Sequence, residues 1–119
     1  MDTKESAMSN HLAALSSTSL FRIDKFIVPA AVRPAFIAQM QHIQATLRTL
    51  PGCLRTSVLD QTGGSGEFNV LTLVEWADAA AVAAATPVVQ KMFADEGFDP
   101  AVFTRDAGVR ADQGFYTVA

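Results

Sequence analysis

The chain has little of what several classes of protein require. Cys53 is the single cysteine among 119 residues, so the sequence allows no intramolecular disulfide and no multi-cysteine metal site. Lysine and arginine are few and scattered, with a formal net charge of −3 and a pI near 5.2. Because nucleic-acid binding needs a concentrated basic surface, we expect no nucleic-acid partner.

Long apolar runs and targeting signals are also missing from the sequence. No apolar run approaches the roughly 20 residues that a membrane helix needs. The first residues lack the basic start and continuous apolar stretch of a secretory signal. With a lone cysteine, these features favour a cytoplasmic protein without a membrane partner. Half of the residues are hydrophobic and 18% are charged, which is typical of one folded globular domain at this length.

The strand candidate Phe68–Trp76, read as FNVLTLVEW, is apolar on both faces and contains the chain's single tryptophan. A strand of this kind must be covered on both sides. The chain's own helices can cover one side and leave little for the other. A second subunit is the expected cover, so the sequence predicts a homodimer.

The remaining elements alternate around this strand. The sequence predicts a strand at Leu20–Val28, a helix from Pro34 to about Leu50, and strands at Cys53–Gln61 and Asp112–Val118. Thr86-Pro87 is expected to divide the second helix into pieces near 78–85 and 87–95, followed by a short turn or helix from Pro100 to Arg105. The order βαββαβ predicts a ferredoxin-like α+β fold, with a four-stranded antiparallel sheet and both helices on one face. We expect this domain to span residues 20–119, preceded by an N-terminal extension, 1–19, with a short helix near 3–15.

Three local features carry a family resemblance. They are the turn Pro51–Leu54, the strand end Val74–Trp76 and the acidic, alanine-rich helix start that follows it. With the element order, they resemble the antibiotic biosynthesis monooxygenase family of dimeric α+β barrel proteins over about residues 20–118. The resemblance implies a barrel at the centre of a dimer and a small-molecule cavity between sheet and helices. Family activities include flavin- and metal-free oxygenation of aromatic polyketide-type substrates, quinol oxidation and haem degradation.

The chain also departs from the family pattern. Family members often carry histidines in the second helix, in a stretch such as His-x-x-Ser-Pro-His, whereas residues 83–88 here read AAATPV. Members of the haem-degrading branch carry a triad of an Asn on strand one, a Trp on strand three and a His on helix two. In this chain only Trp76 matches that triad. Haem degradation is therefore not expected. Because the sequence has no metal-ligand spacing, phosphate loop or dinucleotide fingerprint, we predict that no cofactor and no metal is bound.

Three residues are the candidate catalytic group. Trp76 can stack on an aromatic substrate, or it can be a large core residue at a strand end. Asp24 and Arg22 share one face of the first strand and can act as a base and an anion anchor, or they can be an exposed edge pair. The predicted substrate-binding residues are Phe26, Phe68, Thr72 and Tyr116.

Two functions from different classes follow from these candidates. The first is a cofactor-independent monooxygenase acting on a small aromatic phenol, quinol or polyketide-like substrate. The alternative is a non-catalytic small-molecule-binding or dimerisation module of the same fold. The feature that separates them is whether Asp24 and Arg22 point with Trp76 into one pocket. We expect His42 to be solvent-exposed on a polar helix face, and Cys53 to be a buried, unreactive thiol.

Overall fold

The computed structural model describes residues 19–119, and the predicted N-terminal helix lies outside this range. The elements in chain order are β1 (Leu20–Ile27), a 3₁₀ turn (Ala30–Val32), α1 (Arg33–Leu47), β2 (Cys53–Asp60), β3 (Val70–Trp76), α2 (Ala79–Glu96), α3 (Pro100–Asp106) and β4 (Arg110–Tyr116). Within residues 19–119, no helix is long and apolar enough to cross a membrane.

The four strands form one antiparallel sheet in the order β2-β3-β1-β4. The two strands that flank β1 are therefore β3 and β4, as the ferredoxin-like plan requires. The register places Asp24 of β1 opposite Thr72 of β3 and opposite Gln113 of β4. The predicted ferredoxin-like α+β fold is confirmed, whereas the dimeric barrel stays a prediction.

The helices pack on one face of this sheet in two apolar clusters. One contains the buried side chains Phe26, Val28, Phe36 and Val70, with Met40 and Phe103 packed against them. The other contains Val74, Trp76 and Ala85, with Leu47 and Val82 against them. The β3 residues of both clusters, Val70, Val74 and Trp76, are all at even positions. They point to the same face because successive side chains of a strand point to opposite faces.

The second face of the sheet carries no helix from the described residues, and it has an apolar centre flanked by the charged residues Lys25 and Glu75. Its centre is Ile23 on β1, which lies opposite Leu73 on β3, and Phe21 and Leu71 extend it along those strands. All four side chains are only half-buried. This face is the one for which the sequence predicts a partner.

The second long helix differs from the prediction. We expected Thr86-Pro87 to divide it, but α2 runs without interruption from Ala79 to Glu96 and includes Pro87. Proline removes one backbone donor, the bond that would reach the Ala83 carbonyl. Ala83 is exposed, so water can replace that bond, and the helix continues. At its start, Asp78 caps the helix, accepting from the Ala81 N–H at 2.8 Å.

Candidate active site

A cavity of about 850 Å³ lies between the sheet and the three helices. Its floor is formed by side chains of β1, β3 and β4, and its walls by apolar side chains of α1, α2 and α3. Cavities of 300–1,000 Å³ with mainly apolar walls and a few polar groups are typical of small-molecule sites. The structure therefore contains one candidate ligand site of the size that the fold class leads us to expect.

Strand alternation brings five of the predicted site residues into this cavity. The parity of β1 that faces the helices carries Arg22, Asp24 and Phe26, and the matching parity of β3 carries Thr72 and Trp76. All five line the cavity. Asp24 and Arg22 are thus not an exposed edge pair, because their side chains retain only 17% and 34% of their accessible surface.

The other two predicted binding residues lie elsewhere. Phe68 precedes β3, and its ring sits 5.1 Å from the Lys25 ammonium, on the helix-free side of the sheet. Tyr116 lies opposite Phe21 on that same side and is 44% exposed. Its neighbour Phe115, opposite Arg22, lines the cavity instead.

Arg22 and Asp24 form a two-point ion pair on the cavity floor. The Arg22 Nε atom donates to Asp24 Oδ1 at 2.6 Å, and Nη2 donates to Oδ2 at 3.5 Å. The guanidinium also lies over the Phe115 ring, 5.2 Å from its centroid, which limits its movement. Burial raises the pKa of Asp24 above its ordinary value, and the adjacent Arg22 opposes that rise without cancelling it. The site thus combines a carboxylate of raised pKa with a fixed cation, which is suited to removing a proton and stabilising the anion left behind.

Trp76 combines both roles foreseen for it. It is 5% exposed and packs with Val74 and Ala85, so it belongs to the core. It also lines the cavity at the end of the floor occupied by Arg22, because the register places Arg22 opposite Val74, two residues before Trp76. An aromatic ligand in the cavity can therefore contact the indole.

A row of phenylalanines lines the end of the cavity away from Trp76, and of its members the sequence predicted only Phe26 as a site residue. Phe26 meets Phe36 edge to face at 4.9 Å, and Phe36 stacks on Phe103 at 5.7 Å. The row continues through Phe98 to Phe93, with ring centroids 5.3 and 5.2 Å apart. Four of these rings, Phe26, Phe93, Phe98 and Phe103, line the cavity. Such surfaces favour aromatic ligands, because stacked and edge-to-face pairs add to the energy of apolar burial.

The remaining titratable candidates lie outside the cavity. His42, within α1, is exposed, as expected, and its Nε2 atom lies 2.6 Å from Oε1 of Glu96, the last residue of α2. Cys53 is half-buried beside the Trp76 cluster, and burial raises the pKa of its thiol, which disfavours the reactive thiolate. In residues 19–119, no three His, Cys, Asp or Glu side chains come together in an arrangement that could hold a metal ion.

Comparison with known proteins fits this architecture. A sequence model of the antibiotic biosynthesis monooxygenase family matches residues 20–95. The chain belongs to this family. A search of curated proteins finds no match.

Several solved structures share the fold. SnoaB from Streptomyces nogalater, a cofactor-independent oxygenase whose structure was solved as a mutant, is 20% identical with a TM-score of 0.57, over 86% of this chain and 94% of that one. The heme-degrader MhuD from Mycobacterium tuberculosis, with two hemes bound in its active site, is 20% identical with a TM-score of 0.53, over 84% and 95%. A conserved protein from Methanosarcina mazei Go1 is 13% identical with a TM-score of 0.63, over 92% and 99%. At these identities the likeness shows the shared fold of this monooxygenase family and leaves the substrate to be argued from the cavity.

Replacing Trp76 tests its position in the cavity wall. We expect Trp76→Phe to fold and to lose about 1–2 kcal/mol of unfolding free energy, because Phe keeps an aromatic face and the wall already borders empty space. Affinity for a naphthol, measured by calorimetry, should fall by a comparable or larger free energy. Naphthol binding should also quench the fluorescence of the wild type, since Trp76 is its single tryptophan.

The matched control is Tyr116→Phe, which changes an aromatic side chain outside the cavity. This variant should bind naphthol as the wild type does. A Trp76→Phe protein that loses several kcal/mol of stability but keeps the wild-type affinity per folded molecule would show that Trp76 does not contact the ligand.

Proposed function

We propose that this protein is a cofactor-independent monooxygenase that acts on a small aromatic substrate carrying an acidic hydroxyl, such as a phenol, a quinol or a polyketide-like ring system. The observation that carries the proposal is the Arg22–Asp24 ion pair on the floor of a cavity whose walls are aromatic. Membership of the antibiotic biosynthesis monooxygenase family supports it, and so does the fold shared with SnoaB.

The proposed chemistry begins with removal of a proton from the substrate hydroxyl. Asp24 accepts this proton, and the Arg22 guanidinium stabilises the resulting phenolate. Binding between Trp76 and the phenylalanine row removes water from the ring, which raises the energy of the phenolate electrons relative to solution. The phenolate then reduces molecular oxygen directly. One oxygen atom enters the oxidised ring carbon and the other leaves as water, so oxygen is the only oxidant required.

The pairing of acid and cation favours this enzyme over a non-catalytic binding module. A module that only holds an apolar metabolite gains nothing from a half-buried carboxylate, because desolvating a charge costs free energy. In this protein the partly desolvated carboxylate of Asp24 lies in the ligand cavity, where a carboxylate of raised pKa is a useful base.

Oxygen uptake tests the proposal directly. We expect the purified protein to accelerate oxygen consumption with at least one member of a panel of naphthols, hydroquinones and anthrones, without added flavin, metal or haem. Isotopically labelled oxygen should appear in the quinone product. If the panel binds in the cavity and no member is oxidised, the binding-module alternative replaces the enzyme.

We also propose that the helix-free face of the sheet pairs with the same face of a second copy. The support is its half-buried apolar centre, Ile23 and Leu73, together with the dimers common in this fold. Stable homodimer interfaces of this kind bury on the order of 2,000 Å² or more. Each subunit would keep its own cavity, because the cavity lies on the opposite side of the sheet.

A charge placed at the centre of this face tests the dimer. We expect Leu73→Glu to be monomeric at micromolar concentration by light scattering, because each copy would have to bury an unpaired charge in the interface. The control is Val88→Glu on α2, where the side chain is 45% exposed on the helix side, and this variant should remain dimeric. A wild type that is monomeric at micromolar concentration contradicts the proposal.

A further inference from the structure

Gln44 is a polar residue in the apolar stripe of α1, and the proposed chemistry does not use it. It lies between Met40 and Leu47, which line the cavity one turn before it and about one turn after it. Gln44 also lines the cavity, although it is only 4% exposed. A glutamine this deeply buried needs partners for its amide, because an unpaired buried polar group costs about 1–3 kcal/mol.

The orientation of the Gln44 amide is fixed by the sheet beneath it. Its Nε2 atom donates to the carbonyl oxygen of Ser57 at 2.8 Å and to that of Leu73 at 3.4 Å. A flipped amide would place Oε1 against two carbonyl oxygens, so only one orientation is satisfied. Both amide protons face acceptors of the sheet, and no side chain or backbone group in residues 19–119 donates to Oε1. Gln44 therefore offers an immobile acceptor oxygen that the described part of the chain does not use.

Thr72 connects this acceptor with the Arg22–Asp24 pair. It precedes Leu73, to whose carbonyl Gln44 donates, and it lies directly opposite Asp24 in the sheet register. Side chains opposite each other on neighbouring strands have Cβ atoms about 4.5–5.5 Å apart. Gln44 on the wall, and Thr72 and Asp24 on the floor, are thus polar groups that line the same cavity.

We propose that the Gln44 amide oxygen accepts a hydrogen bond from a second hydroxyl of the ligand, while the first hydroxyl binds at Asp24 and Arg22. The site would then select dihydroxylated aromatic ligands over monohydroxylated ones of the same shape. This inference rests on the proposed function for its ligand class, but it concerns binding and not turnover.

Gln44 also borders a smaller polar groove on the outer side of α1, shared with Arg48 and Thr56. We assign the acceptor oxygen to the cavity because Nε2 donates at 2.8 Å to the carbonyl of Ser57, a residue of the outer groove. The amide nitrogen therefore lies toward the groove and the oxygen, on the other side of the amide, toward the cavity. In the outer groove, water would satisfy the oxygen without any selectivity.

Three matched ligands test the assignment on the wild-type protein without oxygen, so that no turnover occurs. They are 2-naphthol, 2,7-dihydroxynaphthalene and 7-methoxy-2-naphthol. The methoxy group occupies the position of the second hydroxyl but cannot donate a hydrogen bond. The Gln44 oxygen can only accept a hydrogen bond, so it gains nothing from the methoxy group. Calorimetry should show that the dihydroxy compound binds at least about fivefold tighter than both others, the effect of one hydrogen bond.

The variant Gln44→Met removes the acceptor and keeps a long, unbranched side chain. Its denaturation midpoint is measured first, and the ligand comparison is made on the folded protein. We expect the preference for the dihydroxy compound to disappear, with 2-naphthol affinity within about twofold of wild type. If the variant does not fold, the methoxy comparison on the wild type decides.

Equal binding of the three ligands by the wild type overturns the inference, and so does a preference that survives in Gln44→Met. Selective binding without oxygen uptake supports the role of Gln44 and contradicts the proposed oxygenation. If none of the three ligands binds, both the inference and the proposed ligand class fail.

Discussion

Replacing Asp24 by asparagine should lower oxygen uptake by about 10²–10³-fold while the protein still folds, because positioned general bases contribute 10²–10⁴-fold in rate. Asparagine keeps the shape of the side chain and can still accept a hydrogen bond from Arg22, but it cannot take up a proton. Steady-state oxygen consumption gives the rate, and binding of 2-naphthol should change far less than kcat.

The pH dependence gives this variant a second signature. The wild-type rate should rise with pH as Asp24 ionises, with its midpoint above that of an unperturbed aspartate, since burial raises the pKa of Asp24 in the folded protein. Asp24→Asn should lose that rise. The matched control is Asp95→Asn on α2, an exposed carboxylate paired with Lys91, which should keep both the rate and the profile. A variant of Asp24 with wild-type activity would remove the residue from the proposed mechanism.

The raised pKa of Asp24 also affects how the stability of the protein depends on pH. A carboxyl whose pKa is higher in the folded than in the unfolded state binds protons more tightly when folded, so its contribution to stability falls as pH rises through that window. Ionised Asp24 thus opposes folding at neutral pH, partly offset by Arg22. We expect Asp24→Asn to change the unfolding free energy at neutral pH by less than about 1 kcal/mol. A residue that lowers stability in its working charge state is typical of a site shaped for chemistry.

The fold could be predicted because local chemistry fixes each turn and each face. The Pro51-Gly52 turn is one example. Gly52 has a φ of +82°, and a Cβ at that position would collide with the side chain of Ala81 on α2. Glycine at the turn and alanine in the helix are therefore one constraint, which explains why these two motifs occur together in the sequence.

The part of the site carried by β1 and β3 could also be predicted, because side-chain alternation along a strand has a period of two. Arg22, Asp24 and Phe26 could not reach different faces. The sequence predicts Phe68 as a substrate-binding residue, but Phe68 lies outside the cavity. Phe68 has the parity of Trp76, but the paired part of β3 begins at Val70, so alternation does not fix the side of the sheet on which Phe68 lies.

The remaining features depend on register and on irregular segments, which one sequence does not determine. On β4, a shift of one residue exchanges Tyr116 and Phe115 between the two faces. Phe93, Phe98 and Phe103 are five residues apart, a spacing that matches neither a helix nor a strand, since the chain changes direction at Gly97 and Asp99. Their convergence on one cavity wall needs the structure.

Asn69 should be the side chain outside the apolar core on which stability depends most, and we expect Asn69→Ala to cost about 2–4 kcal/mol. Its side chain accepts from the Val28 N–H at 2.8 Å and donates to the Val28 carbonyl at 2.8 Å. Val28 is 2% exposed, so water cannot easily replace either bond. Two buried backbone groups left unpaired cost about 1–3 kcal/mol each, less what the site regains by relaxing.

The loss should spread beyond those two bonds, because Asn69 joins three segments. Its backbone N–H donates to Phe26 of β1 and its carbonyl accepts from Gln61 after β2, while Arg33 at the start of α1 donates to the same carbonyl at 3.3 Å. Denaturant titration measures the effect. Asn69→Asp should also be strongly destabilising at neutral pH, because a carboxylate cannot donate to the Val28 carbonyl. The matched control is Gln61→Ala. The side-chain amide of Gln61 donates to the Gly66 carbonyl in an exposed loop, and losing it should cost less than about 1 kcal/mol. Similar losses for Asn69→Ala and Gln61→Ala would show that the Val28 backbone finds other partners and that Asn69 does not fix the end of β1.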